Sequence, residues 1–257
     1  MTEAPDFSLG GRNAIVTGGG RGIGRTLAVG LAAAGADVAV IGRTAETLAE
    51  TAEAIEGRGR RSAAIACDLR RFEAIEEAVA RAQAALGTID ILINNAGVED
   101  VRPSLEVDEA LWDKIVDTNL KAAFFVARAV ARRLVAAGRP GSLVNLCSLT
   151  SGVGVPGAAP YTASKSGLLG MTRALAAEWA GHDIRVNAIG PGYFRTALTE
   201  VFYRDPAWCD AMLGKIPMRR FGRLDDLVGA TVFLSGDAAR YITGQLLYID
   251  GGYMASI

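Results

Sequence analysis

Residues 13–35, NAIVTGGGRGIGRTLAVGLAAAG, decide the fold of this chain. NAIVT (13–17) is short, apolar and rich in β-branched side chains, which reads as a buried strand. IGRTLAVGLAAAG (23–35) has the spacing of a helix and closes on Gly35. Between them lies TGGGRGIG (17–24). A glycine-rich turn alone is weak evidence, since glycines also serve ordinary turns. Placed between a strand and a helix, it is the context of a dinucleotide site. Glycine lets the backbone approach a pyrophosphate, and the helix start offers unpaired N–H groups and a positive dipole end. The gap between Gly18 and Gly22 departs from GxGxxG and matches the more specific TGxxxGIG form.

The same alternation continues outward to both ends. DVAVI (37–41), SAAIA (62–66), DILIN (90–94), SLVNLC (142–147), IRVNAI (184–189) and LLYID (246–250) read as further strands. Helical patterns separate them: AETLAETAEAIEG, residues around 72–86, a long helix from near Asp108, the helix around Tyr161, and segments near 205–214 and 225–235. Uniformly apolar strands separated by helices imply a parallel sheet buried on both faces. The expectation is one α/β domain, residues 1–257: a Rossmann-type, doubly wound sheet of about seven parallel strands with helices on both faces. No fixed-period repeat, low-complexity segment or linker interrupts it.

The end of the second strand indicates which dinucleotide. An acidic residue about 20 residues past the turn would hold the ribose 2′-OH of NAD. Here VIGRT places Gly42 and Arg43 instead. Arg43 offers a forked donor to a 2′-phosphate, and Arg21 in the glycine turn could add a second cation. The expectation is NADP, with NAD an alternative.

A formal charge of −1 and scattered basic residues give no footprint for nucleic acid or an acidic membrane. Cys67, Cys147 and Cys209 are far apart, and His182 is the one histidine, so no metal site is expected. Those thiols read as reduced and structural. The N-terminal MTEAPDFSLGG does not look like a secretory signal, and no apolar run approaches the ~18 residues of a membrane span. A cytoplasmic protein is expected.

One of only four lysines, Lys165, follows Tyr161 by four residues in YTASK, so the two share a helix face. Ser148 follows the strand SLVNLC at its carboxyl end, NNAG (94–97) ends the preceding strand, and Asn119 lies in the helix between. With TGGGRGIG and PGYFRT (191–196), this set resembles the short-chain dehydrogenase/reductase family over essentially the whole chain. The resemblance implies that Tyr161 is the catalytic acid/base, that Lys165 lowers its pKa and binds the nicotinamide ribose, and that Ser148 holds the substrate oxygen. Asn119 would hold a water extending the proton path from Lys165. A free phenol, with a pKa of about 10, is a poor acid/base near neutrality, so a neighbouring ammonium and a positive nicotinamide would help. The resemblance also implies cofactor contacts from Gly18, Arg21, Gly22, Ile23 and Gly24 in the turn, and from Arg43 and Thr44 after the second strand. Asp68 and Leu69 would lie at the adenine, Asn95, Ala96 and Gly97 at the adenosine ribose. Pro191, Gly192 and Thr196 would lie near the nicotinamide, with Thr196 at the carboxamide.

Within the family, the branch most resembled is that of gluconate 5-dehydrogenases and related sugar-acid and polyol dehydrogenases. The start PDFSLGGRNAIVTGGG, GRTAETL, PGYFRTALTE and the ending YITGQLLYIDGGYMASI carry that likeness. It implies oxidation of a secondary alcohol, or the reverse, on a sugar acid, sugar or polyol. After NNAG that branch tends to carry arginines, whereas this chain has Glu99 and Asp100 before Arg102. In the family this loop borders the substrate mouth, where carboxylates would repel an anion unless they point to solvent. The alternative is a 3-oxoacyl thioester reductase, against which stand GVPGAAPY and Ala177, where such enzymes carry other residues. A nucleotide-binding regulator without catalysis would have no need of Tyr161 and Lys165. Arg128, Arg132 and Arg133 read as a solvated helix face, and Trp112, Trp179 and Trp208 as core or subunit contacts. Members of the family are commonly homotetramers, so a homotetramer is expected.

Overall fold

The computed structural model describes residues 6–196, 200 and 202–256, so residues 197–199 of the segment PGYFRTALTE, together with Pro5 and Ile257, lie outside it. Seven strands form one sheet: β1 Asn13–Thr17, β2 Asp37–Gly42, β3 Ser62–Ala66, β4 Ile91–Asn94, β5 Gly141–Leu146, β6 Ile184–Pro191 and β7 Leu246–Ile249. Their order is β3-β2-β1-β4-β5-β6-β7, and every neighbouring pair is parallel. The order reverses between β1 and β4, which opens a crevice outside their carboxyl ends.

Because successive strand residues face opposite sides, the apolar runs supply two cores. Ile15, Leu92 and Leu143 point to a layer containing α3 (Phe72–Leu86), α5 (Ala122–Ala137) and α6 (Ala159–Trp179). Ala14, Val16, Ile91, Ile93 and Val144 point to the other, against α1 (Gly22–Ala33), α2 (Ala45–Glu56) and α8 (Val228–Ser235). A shorter helix, α4 (Glu109–Val116), is capped by the Asp108 carboxylate, which accepts from the Leu111 N–H at 2.8 Å. It continues into α5 through a π turn, Asp117–Lys121, that carries Asn119. Such turns are rare inside helices and are frequent at functional sites. The remaining helix is α7, Pro206–Lys215.

Two surface readings need correcting. Arg132 is exposed, but Arg133 donates to Glu76 at 2.7 Å and Arg128 stacks over Phe125 at 4.7 Å, so only one of the three is a solvated residue. Long arginine stems cover apolar surface while their heads find partners, Glu76 on α3 for Arg133 and Phe125 on α5 itself for Arg128. Trp179 packs on the core, and Trp112 on α4 is 44% exposed. No helix among the described residues is long and apolar enough to cross a membrane.

Candidate active site

The carboxyl ends of β1 and β4 are cross-linked by side chains that their terminal residues supply. Thr17 Oγ1 accepts from the Asn95 and Ala96 N–H groups at 3.0 and 3.1 Å, and Asn95 Nδ2 donates back to the Thr17 and Gly18 carbonyls at 2.9 and 3.2 Å. The glycine turn is therefore held against NNAG. Gly18 has φ +65°, and a Cβ there would lie 2.9 Å from Asn95 Nδ2. A Cβ on Gly24 would run into the Gly18 carbonyl oxygen, so only glycine lets α1 start this close to the turn. Arg21 gives α1 no side-chain cap and no acidic residue stands in its first turn, which leaves its leading N–H groups and positive dipole end to a ligand. Backbone donors, dipole and close approach together fit the pyrophosphate of a dinucleotide.

One cavity of about 330 Å³ runs from this turn past the ends of β4, β5 and β6. Gly18, Arg21, Gly22 and Ile23 line one end, with Asn95, Ala96 and Gly97 beside them, and Pro191, Gly192 and Thr196 on the β6 side. Ser148, Tyr161 and Lys165 line its deeper wall. The structure thus brings together the glycine turn, NNAG, PGYFRT, serine, tyrosine and lysine. The adenine-side residues lie outside this cavity. Arg43 and Thr44 are exposed beyond β2, and Asp68 pairs with Arg70 at 2.8 Å. Arg43 is near enough for its charge to help hold the Asp68 carboxyl below its ordinary value, after the hydrogen bond from Arg70. Leu69 is buried in the core, so its side chain is not available to a ligand.

Each catalytic candidate has a structural reason for its position. Ser148 lies two residues past the end of β5 and caps the short turn Leu149–Ser151, its Oγ accepting from the Thr150 N–H at 3.2 Å. Tyr161 and Lys165 stand one turn apart near the start of α6, with Pro160 setting the first turn. Lys165 Nζ donates to the Leu146 carbonyl at 2.6 Å and lies 5.6 Å from the centre of the Tyr161 ring. The Asn119 side chain does not reach Lys165. Its Oδ1 accepts from the Val98 N–H at 2.8 Å, and its Nδ2 donates to the Val98 carbonyl at 2.9 Å and to Ser164 Oγ at 3.1 Å. These bonds clamp the loop after β4 to α6.

Burial dominates the electrostatics of the pair. Burial pushes the Tyr161 phenol well above its ordinary range, the Glu99 carboxylate adds to that, and the Ser148 hydroxyl works the other way. Burial likewise pushes Lys165 down, against the pull of Cys147 and Glu99. Burial, which disfavours the charged form of each group, is the largest influence on both Tyr161 and Lys165.

Glu99 and Asp100 prove to be opposite in orientation. Glu99 and Val101 line the cavity. Asp100 points away, to Arg102 at 3.5 Å and Lys114 at 3.8 Å, so it is not part of the mouth. Missed from the sequence were the walls facing them: Leu149, Val155, Pro156, Tyr193, Tyr203 and Trp208. Trp208 is thereby corrected from core or subunit contact to cavity wall, its ring 5.7 Å from Tyr193 and 5.4 Å from Tyr203.

The family model described as enoyl-(acyl carrier protein) reductase matches residues 18–254. The gluconate 5-dehydrogenase of Gluconobacter oxydans (strain 621H) is 42% identical over all of both chains. The chain belongs to the short-chain dehydrogenase/reductase family. Like other short-chain dehydrogenase/reductases, it is an NAD(P)-dependent oxidoreductase acting on CH–OH groups. Two solved structures of the family superpose closely. One, described as a short-chain alcohol dehydrogenase from Sinorhizobium meliloti 1021, is 61% identical with TM-score 0.96, covering 98% of this chain and 100% of its own. The other, a gluconate 5-dehydrogenase from Burkholderia cenocepacia J2315 in complex with NADP and tartrate, is 37% identical with TM-score 0.94, covering 98% of each chain.

Proposed function

We propose that this short-chain dehydrogenase/reductase is NADP-preferring and interconverts a secondary alcohol and a ketone on a sugar acid, sugar or polyol. The observation that carries the reading is the meeting of Tyr161, Ser148 and Lys165 on one wall of a cavity that opens onto the glycine turn. The Gluconobacter relative and the NADP-containing Burkholderia structure support the substrate class and the cofactor.

Gly18, Gly22, Ile23 and Gly24 hold the pyrophosphate through backbone N–H groups, and Asn95 to Gly97 border the adenosine ribose. Arg43 and Arg21 take the 2′-phosphate, with Thr44, Asp68 and the Leu69 backbone around the adenine. Pro191, Gly192 and Thr196 border the nicotinamide, which when bound accepts or supplies the hydride. Ser148 holds the substrate oxygen, and Tyr161 removes its proton in oxidation or returns it in reduction. Lys165 binds the nicotinamide ribose and supplies positive charge beside the phenol. Asn119 fixes the loop that closes the pocket. The chain acts in the cytoplasm as a homotetramer, for which the half-exposed Leu247 on edge strand β7 and the exposed Trp112 on α4 offer apolar contact surface.

The test is nicotinamide absorbance with NADP⁺ and separately NAD⁺, across gluconate, 2-deoxy-aldonates and neutral polyols, with acyl thioesters in the reverse direction. Reduction of NADP⁺ by a polyhydroxylated substrate is expected. Turnover confined to acyl thioesters would overturn the reading.

A further inference from the structure

The loop that follows β4 is fixed at two points. Asn119 clamps both backbone groups of Val98, and the Arg102 N–H donates to the Gly157 carbonyl at 2.8 Å. Between these anchors the side chains alternate, as an extended segment requires. Glu99 and Val101 face the cavity, while Asp100 faces Lys114 and Arg102. The loop's own cation is thus drawn outward by Asp100, and the cation whose charge reaches the inward carboxylate is Lys165, itself bonded to Leu146.

Glu99 forms no hydrogen bond or ion pair with any described residue; it lines the cavity half-buried, and its charge acts on both Tyr161 and Lys165. A carboxylate that faces a cavity without a protein partner is open to the donors of whatever enters. The described cations lining the cavity are Arg21, at the glycine turn, and Lys165, bonded to Leu146. The surrounding walls are Val101, Leu149, Val155, Tyr193 and Trp208, none of which carries a positive charge to pair with a substrate carboxylate. Hydroxyl groups are the donors that such a pocket can accept without adding charge.

We propose that Glu99 is the specificity-determining residue: its carboxylate accepts hydrogen bonds from hydroxyls flanking the reacting carbinol and turns away a substrate carrying a carboxylate there. This rests on the reading of the substrate as polyhydroxylated. A sugar acid is accommodated when its carboxylate lies several carbons from the carbinol, beyond the reach of Glu99. A four-carbon acid cannot meet that condition, because every secondary carbinol lies within two carbons of its carboxylate.

The experiment takes whichever six-carbon polyol or aldonate reduces NADP⁺ and measures its inhibition by threitol and by threonate. Wild type is expected to bind threitol about tenfold more tightly than threonate, as repulsion between juxtaposed like charges requires. Glu99→Gln should bring the two within about twofold, and Glu99→Arg should reverse the order, a difference of roughly tenfold each way. Asp100→Asn, whose carboxylate faces outward, should leave the ratio in place. NADP⁺ affinity, read by titration, should stay at the wild-type value in all three and so report an intact fold. An unmoved ratio in both Glu99 variants, or an equal shift in Asp100→Asn, overturns the assignment of Glu99 alone. Failure of every six-carbon substrate overturns the proposed function and, with it, this inference.

Discussion

Replacing Asn119 with alanine removes three hydrogen bonds at once: two to the backbone of Val98 and one to Ser164 Oγ. Asn119 is 1% exposed, so water does not readily replace them. At roughly 1 kcal/mol of net stability each, their loss amounts to about 3 kcal/mol. That would appear in urea as a lower midpoint with an unchanged slope. The Val98 N–H should lose its protection from hydrogen exchange while the β4 amides keep theirs. The damage reaches the chemistry because Ser164 Oγ also donates to the Tyr161 carbonyl at 2.7 Å, so Asn119 ties the substrate loop to the tyrosine's own turn. A loop displaced by about 1 Å lowers kcat/KM by up to a hundredfold. Asn119→Asp is isosteric but turns an acceptor towards the Val98 carbonyl, so it should fail to restore exchange protection or turnover. A stability loss below about 1 kcal/mol, on the scale of a single bond, with Val98 still protected, would refute the clamp. So would an aspartate variant that behaves as wild type.

Three further outcomes follow from the site. Gly24→Ala places a methyl against the Gly18 carbonyl and should weaken NADP⁺ binding by about tenfold or more, given overpacking costs of ~1–3 kcal/mol; unchanged affinity by titration would contradict the close-approach argument. Oxidation needs the Tyr161 phenol deprotonated, and both burial and the Glu99 charge favour its protonated form. Glu99→Gln should therefore move the acid limb of the kcat/KM profile for oxidation to lower pH, whereas a static or rising limb would show that Glu99 does not act on the phenol. Arg43→Ala should reduce the preference for NADP⁺ over NAD⁺ by about tenfold to a hundredfold, the worth of a charged hydrogen bond; an unaltered ratio of kcat/KM values would remove Arg43 from the 2′-phosphate.

The strands were legible because a parallel sheet buried on both faces needs continuous apolar runs. AIVT of β1 and VAVI of β2 are buried throughout, whereas SAAIA, at the sheet edge as β3, leaves Ala64 and Ala66 exposed. The meeting of Ser148, Tyr161 and Lys165 on one wall was legible for a related reason: Ser148 lies two residues past the end of β5, and a helical spacing of four puts Tyr161 and Lys165 together. What escaped was set by contacts distant in sequence. The opposite orientations of Glu99 and Asp100 depend on Asn119, Lys114 and the Arg102–Gly157 link, none of which local pattern reveals. Trp208 and Tyr203 reach the cavity through the arrangement of the segment after β6, where the rings pack on Tyr193 and Phe221. The burial of Tyr161 and Lys165, the largest influence on both groups, has no signature in their spacing. The π turn at Asn119 has no signature in the chain's composition.

The central claim is that Tyr161 moves the proton while hydride passes to the nicotinamide. Tyr161→Phe removes only the phenolic oxygen, so NADP⁺ affinity should stay near the wild-type value in a fluorescence titration. NADPH formation by the same preparation should fall by about a hundredfold to ten-thousandfold, the usual contribution of a positioned acid/base. Turnover that persists at the wild-type rate, with cofactor bound normally, would contradict the mechanism.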